Sequence, residues 1–225
     1  MKKNRNNGFT LLELLIVIAI IAILSVILVI VLNPSETLKK SRDAQRISDL
    51  STMKTAIGLY LTSTAIPVLD NVIASPNSTC KLLATTANST KVWYSQSSIS
   101  SGITPAYQAD SSVTGGAISG SSPSLTSGLG WIPINFDGMT GGSPISNLPL
   151  DPTNVVSLTA PSINYASLVY RYGCAQSPLS YEIDATLESA AYSGLPSTDG
   201  GNTALLYETG TNLFVLGSSS PAINF

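Results

Sequence analysis

From Leu14 to Leu32 every residue except Ser25 is Ala, Val, Ile or Leu. These 19 residues, at about 1.5 Å rise each, are long enough as a helix to cover a hydrocarbon core of roughly 30 Å. No polar stripe interrupts them, so the helix is predicted to be apolar all round and to need lipid or other helices around it. One carboxylate, Glu13, stands in the opening turns. A charged group inside a membrane span is costly and marks a functional site by default.

The period then changes character. Between Ser41 and Leu61 the apolar positions Ala44, Ile47, Leu50, Met53, Ile57, Tyr60 and Leu61 recur at spacings of three and four, while Lys39, Lys40, Arg42, Asp43, Arg46, Asp49 and Lys54 fill the other faces. That spacing predicts an amphipathic helix with one stripe on a domain. Pro34 is expected to kink or loosen the chain where it leaves the membrane, without ending the helical pattern. The expectation is one helix of some 50 residues, apolar in its first half and amphipathic in its second.

Residues 62 to 128 carry few periodic signals, and 95 to 128 are close to low complexity, so this stretch reads as a long surface loop with a short helix around Cys80 to Ala87. Afterwards short strands are expected: Gly130 to Phe136, Leu168 to Tyr172, and Ser180 to Leu187 with Tyr181, Ile183, Ala185 and Leu187 on one face. Leu205 to Glu208 and Asn212 to Leu216 flank Thr209-Gly210-Thr211, which predicts a hairpin. The fold class implied is α+β, a small antiparallel sheet packed on the amphipathic half of the helix.

Charge and composition narrow the chemistry. Beyond residue 92 the only base is Arg171, against eight acids from Asp110 to Glu208, so the clustered Lys and Arg of a nucleic-acid surface are absent and no direct nucleic-acid binding is expected. The chain has no His, which removes the commonest general base and metal ligand. No P-loop, dinucleotide fingerprint or Gly-x-Ser-x-Gly elbow is present, and Ser51-Thr-Met-Lys54 and Ser78-Thr-Cys-Lys81 lack the Lys-Thr-Gly that would accompany a penicillin-binding site. No enzyme is read here. Cys80 and Cys174 are too far apart for a CxxC motif; in an exported domain they would form one disulfide, the alternative being two separate buried thiols.

Lys2, Lys3 and Arg5 lie only on the N-terminal side of the apolar run. The positive-inside rule therefore keeps that side in the cytoplasm and sends the C-terminal part outward, as a single-pass protein. Val31 to Glu36 offers no small-residue cleavage pattern, so conventional secretory cleavage after the run is not expected.

A short basic leader ending in Gly8, then Phe9-Thr10-Leu11-Leu12-Glu13 and an unbroken apolar helix, resembles the prepilin signal of type IV pilins and of the pseudopilins of type II secretion. Leu148-Pro149-Leu150-Asp151-Pro152 is similar to the Pro-Asp-Pro stretch that precedes the sheet in major pseudopilins. The resemblance implies a type IV pilin-like fold. It also implies cleavage between Gly8 and Phe9 by a membrane prepilin peptidase, N-methylation of the new Phe9 amine, and assembly with identical or related subunits. A membrane platform and a cytoplasmic ATPase would drive that assembly, and lipid would hold the subunit beforehand. The leader removes three bases, leaving 8 bases against 13 acids, a net of −5 before the termini.

On this reading the chain divides into a leader at 1–8, a transmembrane and filament-core helix at 9–32, its amphipathic continuation at 33–61, a variable Ser/Thr/Gly-rich region at 62–128 and a C-terminal sheet region at 129–225. Glu13 becomes the counter-charge of the Phe9 amine of a neighbouring subunit. The plainer alternative is that it snorkels to the headgroups or pairs with its own Phe9. Asn77-Ser-Thr and Asn88-Ser-Thr are sequons by pattern only. Glu182, Asp184 and Glu188 alternate onto one polar strand face, and Asp199-Gly-Gly-Asn202 is an oxygen-rich turn. A calcium ion could in principle use Asp199, Asn202 and Asp184, as major pseudopilins often carry one in their C-terminal loop, but the favoured reading is a solvated acidic face without metal. Three other uses compete with the pilus subunit: a secretion pseudopilin that pushes exoproteins, a competence pilus, and a membrane-anchored extracellular binding domain.

Overall fold

The structure is a computed structural model that describes residues 9–81, 91–96, 114–116, 122–155, 158–159, 162–163 and 166–216. Two helices open it: α1, Leu11–Leu32, and α2, Pro34–Ser63. The expected single helix is divided at Asn33, which adopts a left-handed conformation (φ 37°, ψ 76°) as the C-cap of α1 and the N-cap of α2. Pro34 explains the division. It has no N–H to continue the ladder of α1, yet its fixed φ suits the first position of the next helix. The amides of Glu36 and Thr37 then bond the Asn33 carbonyl and start α2.

Helix α1 buries none of its residues against the described remainder of the chain. Helix α2 buries Asp43, Arg46, Leu50, Met53, Ala56, Ile57 and Tyr60, at the spacings of three and four that keep one stripe on one face. Leu50, Met53, Ile57 and Tyr60 match the predicted stripe, whereas Ala44 is exposed and Ile47 and Leu61 are only partly buried. Asp43 and Arg46, expected on the solvent faces, lie instead at the start of the buried stripe.

The sheet is built from β1 (Lys91–Tyr94), β5 (Arg171–Gln176), β6 (Leu179–Ala185) and β7 (Tyr207–Gly210), antiparallel in that order. Strand β2 (Thr114–Gly116) adds to β1 in parallel at one edge, and β3 (Leu158–Thr159) and β4 (Ser162–Ile163) form a separate two-stranded ladder. One face of β5 and β6 gives Tyr172, Cys174, Tyr181, Ile183 and Ala185 to the core, where they meet Leu50, Met53, Ala56 and Ile57 of α2. This is the α+β arrangement predicted, with the sheet lying on the amphipathic helix.

Several boundaries differ. Strand β5 begins at Arg171, three residues later than the start expected at Leu168, and β1 lies in a stretch whose composition predicts loop. Gly130 to Phe136 forms no strand beyond an isolated bridge, although Trp131, Ile132, Ile134 and Phe136 are all buried. The hairpin expected at Thr209-Gly210-Thr211 is not formed: Thr209 and Gly210 belong to β7, which pairs with β6, and the Val215 and Leu216 amides bond a side chain instead. The helix expected at Cys80 to Ala87 lies mostly outside the described residues.

Cys80 and Cys174 form a disulfide across 94 residues of sequence. It fastens the variable region at Cys80 to the middle of β5, beside the bridge between Lys81 and Ala175.

Candidate functional site

The N-terminal segment is positioned by Thr10 and Glu13. Thr10 is the N-cap of α1, and its Oγ1 accepts from the Glu13 amide at 3.2 Å. Glu13 Oε2 accepts in turn from the Thr10 amide at 2.9 Å and from the Thr10 hydroxyl at 2.8 Å. This is a capping box, two otherwise orphaned helix-terminal donors satisfied reciprocally. The pattern Thr-x-x-Glu in front of an apolar run announces it in the sequence, a signal the reading of Glu13 as a lone charge passed over. Glu13 Oε1 accepts no hydrogen bond from the described residues. Phe9, just before the cap, is 81% exposed. Gly8 and the leader lie outside the described residues.

Along α1 the apolar side chains from Leu11 to Leu32 stand exposed on every side. The described helix is long and apolar enough to cross a membrane. Within it Ser25 donates its hydroxyl to the Ile21 carbonyl at 2.7 Å, so this polar interruption is satisfied inside the helix.

Beyond Asn33 the charges of α2 lock the domain to the helix. Arg46, wholly buried, donates from Nε and Nη2 to the two carboxylate oxygens of Asp151 at 2.7 and 3.0 Å. Its Nη1 donates to Asp43 and to Glu188, each at 2.8 Å. Burial works against the guanidinium charge, but the bonds to Asp151, Glu188 and Asp43 outweigh it and hold Arg46 protonated. Asp43 accepts the amides of Glu188 and Ser189, and Asp151 those of Thr153 and Asn154. The stretch Leu148 to Pro152, singled out by resemblance, thus supplies the bidentate partner of Arg46.

The acidic strand face is not solvated. Glu182 and Asp184 on β6 are fully buried, and Glu188 is half-buried between Arg42 and Arg46. Asp184 pairs with Arg171 at 2.9 Å; burial raises its pKa to about 6 even so. Of the residues weighed for calcium, Asp184 is committed to Arg171, Asp199 accepts the amides of Gly201 and Glu208, and the Asn202 side chain donates to the Leu216 carbonyl. None of the three bonds another. Among the described residues no group of three or more His, Cys, Asp or Glu is arranged to hold a metal ion. Asn77 uses both ends of its amide, donating to the Pro67 carbonyl and accepting the Leu69 amide, so its sequon is built into a turn; Asn88 lies outside the described residues.

Residues 3–29 match the family model of the prokaryotic N-terminal methylation motif. That motif is the prepilin signal of type IV pilins and pseudopilins, and its span takes in Gly8, Phe9, the capping box and most of α1. No curated protein and no solved structure matches the chain.

Proposed function

We propose that this protein is a structural subunit of a type IV pilus-like filament, made as a prepilin, cleaved between Gly8 and Phe9 and N-methylated on Phe9. The observation that carries this reading is the coincidence of the methylation motif with a helix whose 22 residues are exposed on every side. Such a helix requires a surrounding of lipid or of other helices. Lipid surrounds it before assembly, with the leader in the cytoplasm and the domain outside. In the filament the α1 helices of many copies surround one another and the sheet domains face outward.

Glu13 then serves twice. One oxygen stays in the capping box while the other meets the Phe9 amine of a neighbouring subunit, which fixes the axial register of the packing helices. A charge that must find its partner specifies one register where an apolar surface alone would allow several. Assembly energy comes from a cytoplasmic ATPase acting through a membrane platform.

Mass spectrometry of the protein from its native membrane tests the reading. A chain beginning at N-methylated Phe9 is expected. One that keeps Met1 would overturn it and leave a membrane-anchored extracellular domain.

A further inference from the structure

Helix α2 leaves Asn33 with Lys39 and Lys40 in its first two turns. Along the chain they stand at most about 12 Å of helix rise beyond Leu32, whatever the angle between the two helices. Every other charged side chain from Glu36 to Asp49 is engaged. Glu36 accepts the Ala190 amide, Arg42 pairs with Glu188, Asp43 pairs with Arg46, and Asp49 accepts the Tyr170 hydroxyl. Lys39 and Lys40 have no hydrogen bond or ion pair among the described residues; Lys40 is exposed and Lys39 half-exposed.

A short 3-10 turn, Ala190–Tyr192, lies at the same end of the domain. The amides of Glu188 and Ser189 donate to Asp43 and that of Ala190 to Glu36, which ties the turn beside the opening of α2. Ala190 and Ala191 are exposed, Tyr192 is half-exposed, and Leu38 is 61% exposed. This end of the domain therefore offers apolar side chains, an aromatic ring with a polar tip and two unpaired lysines. That combination suits the boundary between hydrocarbon and water.

The position of α1 says what lies opposite. It is exposed on every side and long enough to cross a membrane, and it ends at Leu32. Beyond the hydrocarbon core the headgroups fill a layer of roughly 5 to 8 Å on each side. Helical side chains lean toward the N-terminus of their own helix, which for α2 is the membrane side, so the lysine stems reach back to the phosphates. Lys54, the next lysine of α2, stands about 21 Å further along and is out of reach. Past residue 92 the only base is the buried Arg171, so the acidic C-terminal part of the domain has no free cation with which to meet an anionic surface.

We propose that, before assembly, Lys39 and Lys40 bind the phosphates of anionic lipid headgroups and, with Leu38 and Tyr192, seat the domain on the membrane surface. The inference rests on α1 being the membrane anchor and goes a step further. The domain is held in one pose on the bilayer, with the Ala190–Tyr192 turn against the headgroups, where a tether alone would leave it free to tumble.

Fluorescence quenching on the full chain in lipid nanodiscs tests this. Cys80 and Cys174 are joined, so one added cysteine takes a bimane probe alone. Probes are placed at Ala191→Cys and at Ser146→Cys, the latter next to Pro144 and Ile145, which border α2 at Ser51 to Leu59. In discs of equal parts phosphatidylglycerol and phosphatidylcholine, a headgroup nitroxide should quench the Ala191 probe several-fold more strongly than the Ser146 probe. Lys39→Gln with Lys40→Gln should lower the ratio of docked to undocked domain at least about tenfold, since each lysine near an anionic surface contributes about fivefold. Lys39→Arg with Lys40→Arg should restore it. Equal quenching of the two probes, a double Gln variant that behaves as the wild type, or the same quenching in phosphatidylcholine alone would overturn the proposal. A probe at Ala22→Cys, read against a nitroxide deep in the acyl chains, checks the reading beneath it. If Ala22 is quenched and Ala191 is not, the docking alone fails; if neither is quenched, α1 is not the anchor and both fail.

Discussion

Arg46 of α2 and Asp151, in the segment between β2 and β3, are joined by two parallel hydrogen bonds of 2.7 and 3.0 Å across 105 residues of sequence. Both side chains are fully shielded from solvent. A bidentate pair of this kind adds direction to attraction, because the planar guanidinium accepts a carboxylate in one orientation only. The pair therefore fixes where the segment ahead of β3 meets the helix. Asp43 and Glu188 complete the shell around the guanidinium.

Removing one side of this network strands buried charge. Asp151→Ala should cost about 3 to 5 kcal/mol of folding stability, and Arg46→Ala a similar amount because Asp151 and Asp43 lose their cation while Glu188 keeps only Arg42. Arg46→Lys should recover only part of the loss, since an ammonium cannot reproduce the fork. Denaturant unfolding of the full chain in micelles checks this; a loss below about 1 kcal/mol for Asp151→Ala would show that the pair is not holding the domain to the helix.

Glu13 has two separable roles, and two substitutions separate them. Glu13→Gln keeps a side-chain oxygen for the capping box, because Gln serves at that position as Glu does, but removes the charge. Glu13→Val removes both. If register depends on the ion pair with a neighbour's Phe9 amine, both variants should be cleaved by the peptidase and both should fail to form filaments. Filaments from Glu13→Gln at wild-type yield, counted by electron microscopy, would reduce the role of Glu13 to capping.

What the sequence disclosed followed the physics of each region. The helices were legible because an apolar run and a three-four stripe extend over many residues, so single exceptions do not blur them. Tyr181, Ile183 and Ala185 alternate on β6 as read. The other face of the same strand was misjudged, because alternation marks a polar face without showing what covers it. Here the covering is the Val215–Leu216 segment, whose sequence predicts a hairpin strand. Asp43 and Arg46 are expected in solvent for the same reason: a charge reads as exposed until its distant partners Asp151 and Glu188 are known. Strand β1 has only four residues, too few for a period to emerge. The capping box was present in Thr10 and Glu13 but was overshadowed by the charge itself.

The disulfide should contribute strongly, because it closes a long loop. A crosslink spanning 94 residues removes about 4 to 5 kcal/mol of unfolded-chain entropy in the simple loop model. Reduction, or the double substitution Cys80→Ser with Cys174→Ser, should lower the denaturation midpoint accordingly. It should also increase proteolysis near Lys81, whose backbone bonds to β5 lie beside the crosslink. An oxidised protein no more stable than the reduced one would show that the two ends stay together without the bond.

The dependence of stability on pH should have its maximum in weak acid and not at neutrality. Asp184, raised to about 6, and Glu208, raised to about 7, are both higher in the folded state than in the unfolded chain. Their contribution is complete below about pH 4 and is lost as pH rises through 6 to 7. Glu188 works in the opposite direction. Its partial burial raises its pKa, but the bonds to Arg42 and Arg46 outweigh this and lower it. That contribution is present above about pH 4.5 and is lost as pH falls further. The thermal midpoint of the full chain, followed by circular dichroism, should thus rise from pH 3 to about 5 and decline towards pH 8. A midpoint that climbs steadily to pH 8 would mean that the buried acids of β6 and β7 are already ionised and neutralised by something other than a proton.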